Sequence, residues 1–493
     1  LYFGGIKLFI MRFLLSILLL VSLNTFAQNP PKPYGALPSK RQLAWHDVEI
    51  YGIMHFTPTT FENKEWGFGD ADPKIFNPTD FNATQIIKAA KSGGLKGIVL
   101  VSKHHDGFAL WPTKTTDYNI TKSPFRNGKG DLVKEIEQAV RKNGLKFGVY
   151  CSPWDRNNAL YGTDKYLAIY QSQLKELYAN YGELFMSWHD GANGGDGFYG
   201  GAKEKRSIDN TTYYDWKNTW GITRKMQPMA NIFSDIGLDV RWVGNEDGHA
   251  AETSWATFTP TAPDGINEAV PGQANYPQSP EGIRNGKFWM PAECDVPLRQ
   301  GWFYHPKEKP KTPEMLFDLY LKSVGRGAGL DLGLAPDPRG QLHDDDVAAL
   351  KGFGDMVRNT FANNLAKNAS IKASNVREKK FNQSLLIDGN KQSYWATNDD
   401  IHTASLALDL KAKQTFDIIS MQEFIPLGQR IEAYNIEIFE NNQWKKIFEG
   451  TSIGAKRLIK LDQPVSATKV RINITKSPVC ITLSEIGLYK KAL

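Results

Sequence analysis

Leu184-Phe185-Met186-Ser187-Trp188-His189-Asp190-Gly191-Ala192-Asn193-Gly194 is an apolar run of strand type that stops at a carboxylate and turns at once into Gly and Asn. Acids at the carboxyl ends of parallel strands are commonly catalytic. Asp is also a frequent turn-former and helix N-cap, so this segment alone leaves both uses of Asp190 open. The surrounding sequence decides. From about residue 45 to 358, strand-like and helix-like runs alternate. Residues 49–56, 96–102, 146–151, 184–188, 230–234 and 239–243 read as strands. Residues 82–92, 131–142, 165–181 and 213–226 read as helices, with Gly93-Gly94 and Gly144 as stops. Looser strand signals follow at 286–291 and 329–334, and a helix over 344–359 closes the series. Repeated β-α units mean a parallel sheet, and their number predicts a (β/α)8 TIM-like barrel rather than a doubly wound sheet. No GxGxxG follows the first strand, which counts against a dinucleotide fold. The Pro-, Gly- and Asn-rich segment 257–285 reads as a long loop that walls one side of a cleft.

The fold class expected is therefore α/β over 28–360, followed by a second module. From 369 to 493, short alternating runs replace helices, as in Tyr434-Asn435-Ile436-Glu437-Ile438-Phe439, and predict an all-β sandwich. A chain of 493 residues accommodates both. Its 41% hydrophobic and 12% aromatic content, with 13 Trp, is globular, and exposed Trp faces suit sugar rings. The net charge of +6 is spread thinly without a basic stripe, which argues against nucleic acid as a partner.

Met11-Arg12, an apolar run from Phe13 to Leu23, and Asn24-Thr25-Phe26-Ala27 read as a signal peptide over 11–27. The expected location is periplasmic or secreted. The apolar run is short for a membrane span, no Cys follows it to take a lipid, and no later segment predicts a transmembrane anchor. Three cysteines, Cys151, Cys294 and Cys480, form neither a disulfide framework nor a metal spacing.

Polar residues gather just after the predicted strands: His55, His104-His105-Asp106, Ser152-Pro153-Trp154-Asp155, His189-Asp190 and Gly244-Asn245-Glu246-Asp247. One reading is a metal site built from His55, His104, His105 and an acid, as in a metal-dependent hydrolase. Adjacent residues on an extended strand point to opposite faces, so His104 and His105 are not expected to chelate one ion. The favoured reading is a sugar pocket. Histidines and tryptophans contact hydroxyls and ring faces, and two carboxylates flank a glycosidic bond.

These residues resemble the α-L-fucosidases of glycoside hydrolase family 29. The resemblance rests on His55-Phe56, Glu65-Trp66, Lys103-His104-His105-Asp106-Gly107-Phe108, Ser152-Pro153-Trp154-Asp155, Trp188-His189-Asp190-Gly191 and Arg241-Trp242-Val243-Gly244-Asn245-Glu246, in order along residues 40–358. It implies a retaining exo-α-L-fucosidase needing no cofactor, with fucosylated glycans as partners. Asp190 matches the nucleophile. Glu246 is the implied acid/base, with Glu252 its rival, and retention places the two carboxyls about 5–5.5 Å apart. His55, His104, His105, Glu65 and Trp66 match residues that bond fucose hydroxyls, while Tyr150 and Trp188 match ring-facing aromatics. Gly-Asn-Glu and the segment around Asp295, Arg299 and Trp302 resemble the subgroup acting on α-1,3/1,4 linkages in Lewis-type branches. Those last three residues are the implied contacts to the leaving-group sugar. The alternatives are a broad-specificity fucosidase of the other subgroup and a non-catalytic fucose-binding protein. Asp331 and Gly333 depart from the family pattern of an apolar residue and Asn. The C-terminal module resembles discoidin-like carbohydrate-binding sandwiches, with Trp395 in its core. In that class Asp388 is a candidate ligand of a structural Ca²⁺. The role of His189 stays open, and His46 and His249 read as structural.

Overall fold

The computed structural model describes residues 29–234, 238–260 and 276–492. The segment 11–27 read as a signal peptide, and residues 261–275 of the long loop, lie outside the described residues. Eight parallel strands close into a barrel in sequence order. They are β1 (Ile50–Met54), β2 (Gly97–Lys103), β3 (Lys146–Cys151), β4 (Met186–Trp188), β5 (Asn231–Ser234), β6 (Val240–Trp242), β7 (Ala292–Pro297) and β8 (Gly329–Leu334).

Helix α1 (Lys40–His46) precedes β1. Helices α2 (Ala83–Ser92), α3 (Leu132–Lys142), α4 (Asp164–Asn180) and α5 (Trp216–Met226) follow the first four strands, and α6 (Pro313–Lys322) and α7 (Asp344–Phe361) follow β7 and β8. Local chemistry sets their starts. The Asn82 side chain accepts from the Gln85 amide at 3.0 Å, and Asp131 from the Lys134 amide at 2.9 Å, each satisfying an otherwise orphaned helix donor. Ile86, Ile87, Ala89 and Ala90 then bury one face of α2 against the sheet. Only residues 235–239 separate β5 from β6, and no α-helix stands between β6 and β7 among the described residues.

Strand β7 lies at 292–297, just beyond the looser signal expected at 286–291. That signal instead contributes Phe288–Trp289, which pairs antiparallel with Thr257–Phe258 outside the barrel. Polar residues disguise β7: Glu293 and Asp295 alternate into the barrel, where Asp295 pairs in register with Asp331 of β8.

The C-terminal residues form the antiparallel sandwich. Two 20-residue strands, Ala404–Glu423 and Arg457–Lys476, pair with register shifts that let each serve both layers. Trp395 is fully buried in its core among Leu406, Leu483 and Ile486.

Candidate active site

The carboxyl ends of the barrel strands surround a cavity of about 450 Å³. Its wall includes His55, Trp66, His104, His105, Tyr150, Trp188, Asp190, Glu246, Asp295 and Trp302, all singled out from the sequence, together with Ile53, Phe233 and Trp242.

Asp190 leaves the end of β4. Its Oδ2 accepts from the Tyr150 hydroxyl at 2.9 Å and its Oδ1 from the Ala192 amide at 2.6 Å. Burial pushes its carboxyl above the usual range, and these two donors oppose that push. Glu246 sits in the loop after β6, between Gly244 and Gly248. Gly248 has φ +74°, and a Cβ there would come within 2.9 Å of Val296, so a larger residue would displace the loop. Burial raises the Glu246 carboxyl, one hydrogen bond with Trp302 lowers it, and the charges of Asp190 and Glu65 raise it further. Two acids therefore share one cavity. One receives two donors that favour its anion; the other is pushed toward its protonated form by its neighbour.

The expectation that His104 and His105 point to opposite faces does not hold. Strand β2 ends at Lys103 and the chain turns at Gly107, whose φ of +83° and close approach to Asp155 suit glycine. Both rings reach the cavity with centroids 4.1 Å apart. Burial lowers both His55 and His105 to about 3 and drives His104 well below its ordinary value, so all three rings are neutral. The Ser152 hydroxyl donates to the Trp154 carbonyl at 2.8 Å and so accepts from His105 Nδ1 at 2.7 Å. His105 Nε2 is then the bare nitrogen, 3.9 Å from Asp190 Oδ2. Such a nitrogen can accept from a sugar hydroxyl. Among the described residues no group of three or more His, Cys, Asp or Glu is arranged to hold a metal ion.

The cavity floor is aromatic. Trp188 stacks on Phe233 at 4.1 Å and on Tyr150 at 5.0 Å, and its Nε1 donates to Glu293 at 2.7 Å. Trp242 Nε1 donates to Asp295 at 2.8 Å. Trp66, half exposed, stands at the mouth against His105 and Trp154.

Five sequence-derived residues lie elsewhere. Glu65 is not in the cavity wall: its carboxylate accepts from the Trp302 and Phe303 amides and pairs with His305, holding the loop that carries Trp302. Arg299 is buried in an ion pair with Asp346 at 3.0 Å and donates to the Glu308 carbonyl, so its charge is already satisfied away from the cavity. Glu252 is paired with Arg326 and Arg457 outside the cavity. Asp388 caps its own turn, accepting from Asn390 N at 2.8 Å and Ser393 Oγ at 2.7 Å. His189 faces outward behind β4, bonded to Tyr170 at 2.7 Å and Ser187 at 3.1 Å.

Sequence reasoning missed Phe233 and Trp242 as wall residues. Trp242 ends its strand two positions after the buried Val240, the period-2 signal that would have found it, whereas Phe233 follows the polar Asn231 at that spacing and carries no such signal. It also missed Glu293, whose burial no sequence pattern announces.

An α-L-fucosidase family model matches residues 36–360, and an F5/8 type C domain model matches residues 370–486. Alpha-L-fucosidase 1 of Arabidopsis thaliana is 38% identical over 466 residues, 93% of this chain and 88% of its own length. A family 29 fucosidase of Ruminococcus gnavus, solved in complex with fucose, is 31% identical with a TM-score of 0.84, covering 94% of this chain and 97% of its own. A glycoside hydrolase 29 family member from an unknown rumen bacterium is 36% identical with a TM-score of 0.82, covering 94% and 78%.

Proposed function

Because the chain belongs to the α-L-fucosidases of glycoside hydrolase family 29, and so is an α-L-fucosidase, we propose that it cleaves with retention and takes α-1,3/1,4-linked fucose from Lewis-type branches as an exported exo-enzyme. The observation that carries the mechanism is the pairing of Asp190 and Glu246 in one cavity, Asp190 with two hydrogen-bond donors on its carboxylate and Glu246 with one donor and the Asp190 charge nearby.

Asp190 attacks the anomeric carbon while Glu246 gives its proton to the glycosidic oxygen, and the leaving sugar departs as an alcohol. The fucose is then esterified to Asp190, whose lost charge no longer raises Glu246. Glu246, now anionic, takes a proton from water. The water oxygen attacks the anomeric carbon from the face the leaving group vacated, and the Asp190 ester bond breaks. Two inversions give net retention. Neutral His55, His104 and His105 exchange hydrogen bonds with the sugar hydroxyls, and the Trp188–Phe233 floor receives the apolar side that bears the methyl group.

The α-1,3/1,4 preference draws its support from Asp295, Trp242 and Trp302, which stand on the Glu246 side of the cavity. Export draws its support from the 11–27 segment. Proton NMR during early turnover of an aryl α-L-fucoside tests retention: α-L-fucose is expected first, and β-L-fucose first would overturn it. A panel of α-1,2, 1,3, 1,4 and 1,6 fucosides, branched and linear, tests the linkage. Faster cleavage of 1,2 or 1,6 linkages would reassign the chain to the broad-specificity subgroup.

A further inference from the structure

Among the described residues, the loop that carries Glu246 has no α-helix of the kind that usually backs a barrel loop, and the second domain packs against it. Five hydrogen bonds, one of them between the Thr253 and Thr451 hydroxyls at 2.7 Å, and an ion pair join the descending arm of this loop to the sandwich. Arg457, buried on the sandwich side, donates to the Glu252 carbonyl at 2.7 Å and pairs with the Glu252 carboxylate. The other oxygen of Glu252 accepts from Arg326 at 2.6 Å, and Arg326 in turn donates to the Ala250 carbonyl. The buried amide of Gln429 takes the Ala256 N–H at 2.8 Å and gives to the Ser254 carbonyl at 3.0 Å. Ser452 Oγ accepts the Ser254 N–H at 2.9 Å. These partners satisfy backbone groups that a helix would otherwise have satisfied itself. On the barrel side the same loop is fixed at Val243, whose amide donates to Glu293 O at 3.0 Å, and at Ala250, whose amide donates to Lys322 O at 3.1 Å. Residues 244–249 are thus a short span between two fixed points, one of which is reached through Arg326, Glu252 and Arg457.

We infer that the C-terminal sandwich is a clamp on the Glu246 loop, with Arg457 and Gln429 as positioning residues for proton donation. The inference rests on Glu246 being the acid/base. A clamp that sets the donor within about half an ångström of its productive place matters most where the leaving group needs the proton. A general acid contributes about 10²–10⁴ in rate, and activated aryl leaving groups need little of it.

The test uses the full chain and measures kcat/KM for α-L-fucosides whose leaving groups range from dinitrophenol to a sugar alcohol. Arg457→Ala and Gln429→Ala are expected to lose about tenfold or more on sugar leaving groups. On dinitrophenyl fucoside they should stay within about threefold of the parent, which steepens the leaving-group dependence. Arg457→Lys should recover part of the loss. Amide exchange at Ser254 and Ala256 should quicken in Gln429→Ala. Equal losses on all leaving groups, or no loss with only a lowered melting temperature, would reduce the contact to a structural anchor and overturn the clamp. Gln429→Ala keeps the test open if Arg457→Ala fails to fold. Glu246→Ala run in parallel separates the premise: a flat leaving-group dependence there refutes the acid/base assignment, whereas a steep one beside flat clamp variants refutes the clamp alone.

Discussion

Replacing Tyr150 with Phe removes one oxygen from the site and leaves its geometry standing. The ring is buried, stacked on Trp188 at 5.0 Å and parallel to His104 at 6.0 Å, so Phe keeps the same bed. What is lost is the 2.9 Å hydrogen bond to Asp190 Oδ2. A hydrogen bond to a charged group contributes about 1.5–3 kcal/mol to that charged form. The Asp190 side chain retains 22% exposure, so water entering the space replaces part of the bond, and the lower figure applies. About 1.4 kcal/mol corresponds to one pKa unit. The sign follows from which form is bonded. The hydroxyl stabilises the anion, so its removal raises a carboxyl that burial already holds high. The acidic limb of kcat/KM, where Asp190 takes up a proton and can no longer attack, should therefore move up by about one pH unit. Below the limb the variant should be about tenfold slower than the parent, and well above it the gap should narrow. A stopped assay with an aryl α-L-fucoside across the pH range measures this. A limb that stays put or moves down would show that Tyr150 does not hold the Asp190 anion.

Asp190→Ala should abolish turnover, and added azide should restore part of it with β-L-fucosyl azide as product; undiminished activity without azide would remove Asp190 from the nucleophile role. EDTA should leave the rate unchanged, because the proposed double displacement runs on the Asp190 and Glu246 carboxyls of the cavity; loss with recovery on zinc would reinstate a metal-dependent reaction. Asp331 is fully buried with no hydrogen-bond partner for either oxygen, and burial with Glu293 and Asp295 nearby drives its carboxyl well up. The folded chain then binds a proton that the unfolded chain releases above about pH 4, so stability falls as pH rises, by up to about 1.4 kcal/mol per unit for this group. Asp331→Asn should melt higher than the parent at neutral pH and equal it near pH 4; a difference independent of pH would refute the assignment of the penalty to Asp331.

The parallel barrel was legible where strands are apolar and end in turns. Residues 146–151 were read without error as β3, and β1, β2 and β4 to β6 emerged within a few residues, because continuous apolar runs bounded by Gly and polar caps admit little else. β7 escaped because Ala292-Glu293-Cys294-Asp295-Val296-Pro297 carries acids on the face that points inward. Their burial is sustained by partners far away in sequence. Trp188 and Tyr51 both donate to Glu293, and Trp242 donates to Asp295. No local pattern encodes a donor a hundred residues distant. The departure at Gly333 has the same kind of cause: a Cβ there would come within 2.9 Å of the Trp302 ring, so glycine on β8 makes room for a cavity wall residue.

The site residues divided along the same line. Those fixed by a strand end, such as His55, Tyr150 and Asp190, reach the cavity because the barrel geometry sends every such position there. Those on loops depended on what else the loop met. Glu65 and Arg299 both carry the right charge for a sugar site, but each had a closer obligation. Two backbone amides beside Trp302 take Glu65, and Asp346 takes Arg299, since a buried guanidinium left unpaired would cost several kcal/mol. Glu252 and Glu246 present the contrast most directly. They lie six residues apart on one loop, and either could have been the second carboxyl. Two arginines, one from the barrel and one from the sandwich, neutralise Glu252, whereas Glu246 faces Asp190 with only the Trp302 hydrogen bond to favour its anion. The same cations that hold Glu252 outside the cavity are what tie the loop of Glu246 to the second domain.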